Sequence, residues 1–134
     1  MAGLVALDTT FLIDLQRERA RRRPDGPAHR FLAEDSEREL HLSATALGEF
    51  SQGFDDPDDP VLRTMRELHV LMVTDEETAL VYGRITRRLR TEGRLIGTND
   101  LWIAAASVRR AIPLVTANSQ EFARIEGLEI IGYR

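Results

Sequence analysis

Four polar residues, scattered along the chain, stand at places where apolar patterns end. Asp8 closes the run Gly3-Leu4-Val5-Ala6-Leu7, a nearly continuous apolar stretch that reads as a strand covered on both faces. An ionised carboxylate beside such a strand costs on the order of several kcal/mol unless something pairs with it. In open α/β sheets the C-terminal strand ends are also where ligands bind. Asp8 is therefore placed to meet a cation, or equally to cap a helix beginning near Thr9 or Thr10. Asp100 falls in the first turn of a helix with the inner stripe Leu101, Ala104, Ala105, Val108, Ala111 and Ile112, at the edge of that stripe. Thr98 reads as the N-cap there, and a first-turn acid also suits the helix dipole. Asn118 follows Val115-Thr116-Ala117, again at a strand end, where capping is an alternative role. Glu49 is the outlier. Leu47, Phe50 and Phe54 define the inward side of its helix, and Glu49 points away from them. It joins a cleft only if that helix leans over the sheet edge.

The elements that must position these groups alternate between strand and helix. Leu4 to Leu7 is the first strand, followed by a helix from about Thr10 to Arg19 and a break at Pro24-Asp25-Gly26-Pro27. A second helix covers roughly Ala28 to Glu37, and Leu40 to Leu42 form a short strand. Ser43 is a good N-cap for a third helix through about Phe54, and a short helix from Val61 to Leu68 follows an acidic turn. Val70 to Val73 reads as a buried strand, with Thr74 capping a long helix from about Asp75 to Glu92 that Gly93 stops. Its inner stripe is Thr78, Val81, Tyr82, Ile85 and Leu89. The helix opened by Thr98-Asn99-Asp100 runs to about Arg110; Pro113 to Val115 is a strand, Ser119 to Arg124 a short helix, and Leu128 to Ile131 a last strand. This alternation predicts a single three-layer α/β/α domain with a central parallel sheet, residues 1–134.

Composition narrows the chemistry. The 134 residues suit one domain with a real core, and 43% hydrophobic with 30% charged residues is ordinary for a globular protein. There is no cysteine, and His29, His41 and His69 lack ligand-like spacing, which argues against zinc. All 18 basic residues are arginine, so lysine-dependent phosphate loops and Schiff-base chemistry are excluded. The same absence disfavours phosphotransfer receivers and haloacid-type phosphatases, both of which pair a strand-end Asp with a lysine. No apolar run approaches ~18 residues and no basic region precedes one at the N-terminus, so a cytoplasmic protein with neither membrane span nor signal peptide is expected. A net charge of −4 disfavours indiscriminate nucleic-acid binding but permits a local basic groove.

Taken together and in order, Asp8-Thr9-Thr10-Phe11-Leu12-Ile13-Asp14, Ser43 with Glu49, Asn99-Asp100-Leu101-Trp102-Ile103-Ala104-Ala105, and Thr116-Ala117-Asn118 with Phe122 resemble the PIN-domain ribonucleases. The likeness is nearest to the VapC toxins of prokaryotic toxin–antitoxin pairs, and it spans nearly the whole chain. Thr10 stands where Ser or Asn is often found, which keeps a hydroxyl; Asn118 stands where many members carry a fourth acid. The resemblance implies a metal-dependent endoribonuclease with an acidic pocket of Asp8, Glu49, Asp100 and Asn118 holding Mg²⁺ or Mn²⁺. Asp8 and Asp100 would be direct ligands, and Glu49 and Asn118 would act mainly through water. It further implies an RNA substrate, a small antitoxin protein as partner, and a homodimer. The chemistry agrees: hard divalent cations take oxygen ligands, and clustered carboxylates without a cation raise at least one pKa. The competing reading is a PIN-fold RNA- or protein-binding module whose altered fourth position has weakened catalysis.

Two arginine clusters, Arg84 to Arg94 on the long helix and Arg17 to Arg23, suit phosphate contacts along an RNA groove, although such runs are more often solvated faces with helical ion pairs. Trp102 and Ile103 lie off the inner stripe of their helix, which is then either sandwiched in the core or covered by a partner. Leu80 is likewise off-stripe, so Leu80 and Trp102 are candidates for a partner contact.

Overall fold

The computed structural model describes residues 3–134. Its centre is a parallel sheet of five strands, β1 (Leu4–Leu7), β2 (Glu39–Ser43), β3 (Val70–Met72), β4 (Leu114–Thr116) and β5 (Ile130–Gly132), in the order β3-β2-β1-β4-β5. The apolar run expected to be central is central: Val5, Ala6 and Leu7 are buried, and β1 pairs with β2 through Val5–Leu40 and with β4 through Leu7–Val115. Helices flank the sheet as α1 (Thr9–Ala20), α2 (Pro27–Glu34), α3 (Ala44–Ser51), α4 (Pro60–Leu68), α5 (Glu76–Thr91), α6 (Thr98–Arg110) and α7 (Ser119–Phe122). This is the expected three-layer α/β/α architecture.

The strand order fixes where a site can form. From β1 the chain steps outward to β2 and β3, then returns to the other side of β1 with β4 and β5. The order of winding therefore reverses between the parallel neighbours β1 and β4, and a crevice opens beyond their C-terminal ends. Asp8 and the Thr116–Asn118 segment lie at those two ends.

Packing holds the crevice walls. Phe11 and Leu12 on α1 are fully buried, and the Phe11 ring meets Phe31 at 5.6 Å and Tyr133 at 4.8 Å, both edge-on. Leu101, Ile103, Ala104, Ala105 and Ala106 bury α6, the small alanines permitting close approach to its neighbours. Ile103 is thus core, while Trp102 is partly exposed and stacks on Tyr82 at 3.8 Å. Ala111, expected on the inner stripe, instead ends α6 in the left-handed conformation and is exposed.

Other expectations shift at element ends. Asp75, not Thr74, caps α5, because its carboxylate reaches both the amide (2.8 Å) and the hydroxyl (2.7 Å) of Thr78. Thr98 is the first residue of α6 and Gly97 holds the cap position, without a side-chain hydrogen bond. Helix α2 stops at Glu34, short of Glu37: the Asp35 carboxylate accepts from the Glu37 amide at 3.1 Å, and this local turn displaces the next helical turn. Helix α3 stops at Ser51, and Ser51 Oγ donates back to the Gly48 carbonyl at 2.8 Å. Strand β3 is an edge strand, not a buried one. It pairs only with β2, and Val70 and Leu71 are each about half exposed.

Candidate active site

Asp8 directly follows β1 and is the N-cap of α1, the capping role foreseen for it. Its Oδ1 accepts from the Thr9 amide at 2.8 Å; its Oδ2 accepts from Thr116 Oγ1 at 2.7 Å and Thr10 Oγ1 at 3.0 Å. The residue is only 2% exposed. Burial pushes its carboxyl pKa up; the bonds from Thr116, Thr10 and Thr9 pull against that, and the charge of Glu49 adds to the rise. Thr116 Oγ1 also accepts from the Asn118 amide at 2.9 Å. A chain of two hydrogen bonds thus ties the end of β4 to the carboxylate at the end of β1.

Glu49 reaches this crevice. Helix α3 packs against both α1 and α6, and Glu49 reaches from it to the first turn of each. Glu49 Oε1 accepts from Thr9 Oγ1 at 2.7 Å and Oε2 accepts from Asn99 Nδ2 at 3.2 Å. Spacing within one helix carries no information about a second helix crossing its outer face, which is why Glu49 reads as a surface residue in isolation.

Asp100, in the first turn of α6, lines an open cleft of about 360 Å³ together with Glu49, Gly97, Thr98 and Asn99. Its carboxylate has no hydrogen-bond partner among the described residues. Partial burial, reinforced by the negative charges of Asp8, Glu49 and Glu121, pushes its pKa up to about 6. Three carboxylates on three different elements therefore share one electrostatic environment.

The side chain of Asn118 makes no capping bond, although its backbone is held at the crevice through Thr116. Glu121, one turn further along α7, contributes negative charge at Asp100 and was not among the residues singled out from sequence. Its signal was available: residues three apart on a helix share a face, so an acid at Asn118 plus three lies on the same side. Thr9, Asn99 and Thr116 are the other silent members. Each is a short polar residue next to a singled-out one, or buried in a strand where a hydroxyl must find a partner.

The donor set is all hard oxygen, which suits Mg²⁺ or Mn²⁺ and not a softer metal. Among the described residues no three acidic or histidine side chains close into a ready cage. An unpartnered, half-buried carboxylate at Asp100 beside the fixed carboxylate of Asp8 nonetheless matches a cation that keeps part of its water shell, as Mg²⁺ does.

Comparison with known proteins shows the family. The family model described as PIN domain matches residues 5–128. Ribonuclease VapC1 of Methanocaldococcus jannaschii is 30% identical over 129 residues, covering 94% of this chain and 85% of that one. The VapBC-1 structure from nontypeable Haemophilus influenzae superposes with a TM-score of 0.79 at 27% identity, covering 97% of this chain and 98% of that one. VapBC2 from Rickettsia felis, solved bound to a DNA fragment from its promoter, shares the fold with a TM-score of 0.80 at 21% identity over 98% of this chain and 99% of that one. The chain belongs to the PIN-domain family, within the group that holds the VapC ribonucleases.

Proposed function

We propose that the protein is a Mg²⁺- or Mn²⁺-dependent endoribonuclease, the toxin of a toxin–antitoxin pair, with residues 1–134 acting as one nuclease domain in the cytoplasm. The observation that carries this reading is the convergence of Asp8, Glu49 and Asp100 at the β1–β4 crevice. The relatedness to Ribonuclease VapC1 over nearly the whole chain supports RNA as the substrate. The likeness to VapBC complexes supports a small antitoxin as the partner. Among the described residues no helix is long and apolar enough to cross a membrane.

Asp8 and Asp100 would hold the cation, with Glu49 and Asn118 acting through water. The cation, when bound, supplies charge neutralisation at the phosphate and a water of lowered pKa. The protein's own part is orientation. Thr9, Thr10 and Thr116 hold the Asp8 carboxylate in one rotamer, so little reorganisation is needed on substrate binding. Glu49, fixed between Thr9 and Asn99, presents a carboxylate able to orient or accept a proton from an attacking water. Asp100, with its pKa near 6, is the group whose charge depends most on what is bound beside it.

The competing reading, a binding module with weakened catalysis, draws on Asn118 in place of a fourth acid. Glu121 answers it in part, since its charge acts on the same carboxylate, Asp100. A homodimer is also part of the proposal. Leu80 is 69% exposed on α5, a large apolar side chain in solvent that suits contact with a second copy. Incubation of the purified chain with a panel of tRNAs and other RNAs, with Mg²⁺ and with EDTA, tests the activity. Cleavage only with metal, absent in Asp8→Asn, is expected. RNA retention without cleavage under every metal condition would favour the binding module.

A further inference from the structure

Away from the crevice, a polar groove of about 510 Å³ runs between α1 and α2. Arg17 lines it from α1, Arg21 and Arg23 from the connection, and Arg30 from α2. None of these four guanidinium groups has a carboxylate within salt-bridge distance among the described residues. The acids nearby are occupied elsewhere. Asp14 accepts from the Tyr133 hydroxyl at 2.5 Å and from Arg134 Nε at 2.8 Å. Glu18 caps α2, accepting from the amides of Ala28 and His29 at 3.0 Å each and meeting His29 Nδ1 at 2.9 Å. With Asp14 set against Arg134, the charges of Glu18 and Asp25 offset only two of the four cations, so the groove stays positive in a protein whose net charge is −4. The donors here are thus side chains; the helix N-terminus is already taken by Glu18.

We propose that this groove is a phosphate-binding exosite that takes the RNA backbone beyond the segment lying in the crevice. The inference rests on the ribonuclease reading for its ligand. Helix α1 carries Asp8 at its start and Arg17 nine residues on, a rise of about 14 Å. A single strand that leaves the crevice and runs along the outer side of α1 would come to the arginines at the far end of that helix. Guanidinium groups match phosphate oxygens with paired N–H donors, and four of them on a concave surface follow a polyanion better than a compact anion.

The test measures binding apart from cleavage. The full chain carrying Asp8→Asn is titrated with a labelled single-stranded RNA of roughly 20 nucleotides across a salt series. Each phosphate contact contributes about 0.7 to the slope of log affinity against log salt. Arg17→Gln, Arg21→Gln and Arg30→Gln together should lower that slope by about 2 and weaken binding at least about tenfold near 0.1 M salt. The corresponding Lys substitutions should restore most of the slope. A charge-matched control at arginines already paired with acids, Arg63→Gln, Arg66→Gln and Arg109→Gln, should leave it unchanged. Thermal melts confirm that each variant folds. An unchanged slope in the groove variant overturns the proposal. Loss of polyglutamate binding with RNA binding intact also overturns it, because the groove would then take an acidic polypeptide. Failure of the nuclease reading looks different: no RNA is cut by the unsubstituted chain, whatever the salt slope shows.

Discussion

Asp100→Asn separates a working acidic site from a helix-start acid. The substitution keeps the shape of the side chain and removes its charge. A carboxyl pKa raised from 3.8 to about 6 corresponds to at most about 3 kcal/mol of destabilisation at ~1.36 kcal/mol per pKa unit. The group is only partly buried, so solvent screening reduces this to roughly 1–2 kcal/mol. At ~2.1 cal/mol/K of unfolding entropy per residue, a chain of this length gains about 4–7 °C in Tm. The pH dependence has a definite sign. Well below pH 3.8 the carboxyl is protonated folded and unfolded, and Asn and Asp are equivalent. As pH rises from there through about 6, the unfolded chain releases its proton first, so the wild type loses stability relative to the variant. Calorimetric melts of both proteins in EDTA, from acid to neutral pH, should show a gap that opens with rising pH and is complete by about pH 7. Excess Mg²⁺ should close or reverse it, since binding at a hundredfold excess over Kd adds about 2.7 kcal/mol to the wild type and less to the variant. A variant that melts below wild type at neutral pH, or a gap indifferent to pH and Mg²⁺, refutes the reasoning.

Thr116→Val removes the hydroxyl that donates to Asp8 and accepts from Asn118; a loss of about 1–3 kcal/mol in denaturant melts is expected, with the acid limb of the cleavage profile moved to higher pH. Glu18→Gln weakens the cap of α2 by about 1 kcal/mol near neutrality. Burial raises the Glu18 pKa, but the bonds from His29 and Ala28 outweigh it and leave the pKa low; its contribution is therefore present above pH 4.5 and vanishes as pH falls through the lowered value, which paired melts at pH 7 and pH 3 will read. Leu80→Glu places a charge in the proposed dimer contact and should leave a folded monomer by sedimentation, whereas an unchanged mass would remove that face from the assembly.

The sheet was legible because its central strand is apolar on both faces and its helices have clear periods. Asp8 and Asp100 drew notice in the sequence because each charge stands at a junction, Asp8 where an apolar strand stops and Asp100 where an apolar helix stripe begins. Glu49 was not legible from its helix, since its role depends on α3 crossing the N-termini of α1 and α6, a tertiary fact that only the resemblance anticipated. β3 misled for a related reason: its apolar residues match a buried strand, yet its position at the sheet edge leaves Val70 and Leu71 half exposed. The cap at Asp75 turned on register: Asp75 stands three residues before Thr78, whose amide and hydroxyl it accepts from, and periodicity does not fix the helix start to one residue.

The claim at the centre of this account is that Asp8 and Asp100 hold one divalent cation between β1 and the start of α6. Anomalous diffraction from crystals soaked in Mn²⁺ measures it directly. The account predicts a peak within bonding distance of carboxylate oxygens of both residues, with Glu49 and Asn118 reached through water, and no peak at this position in Asp100→Asn. Manganese bound away from the crevice, or in it but touching neither Asp8 nor Asp100, would contradict it.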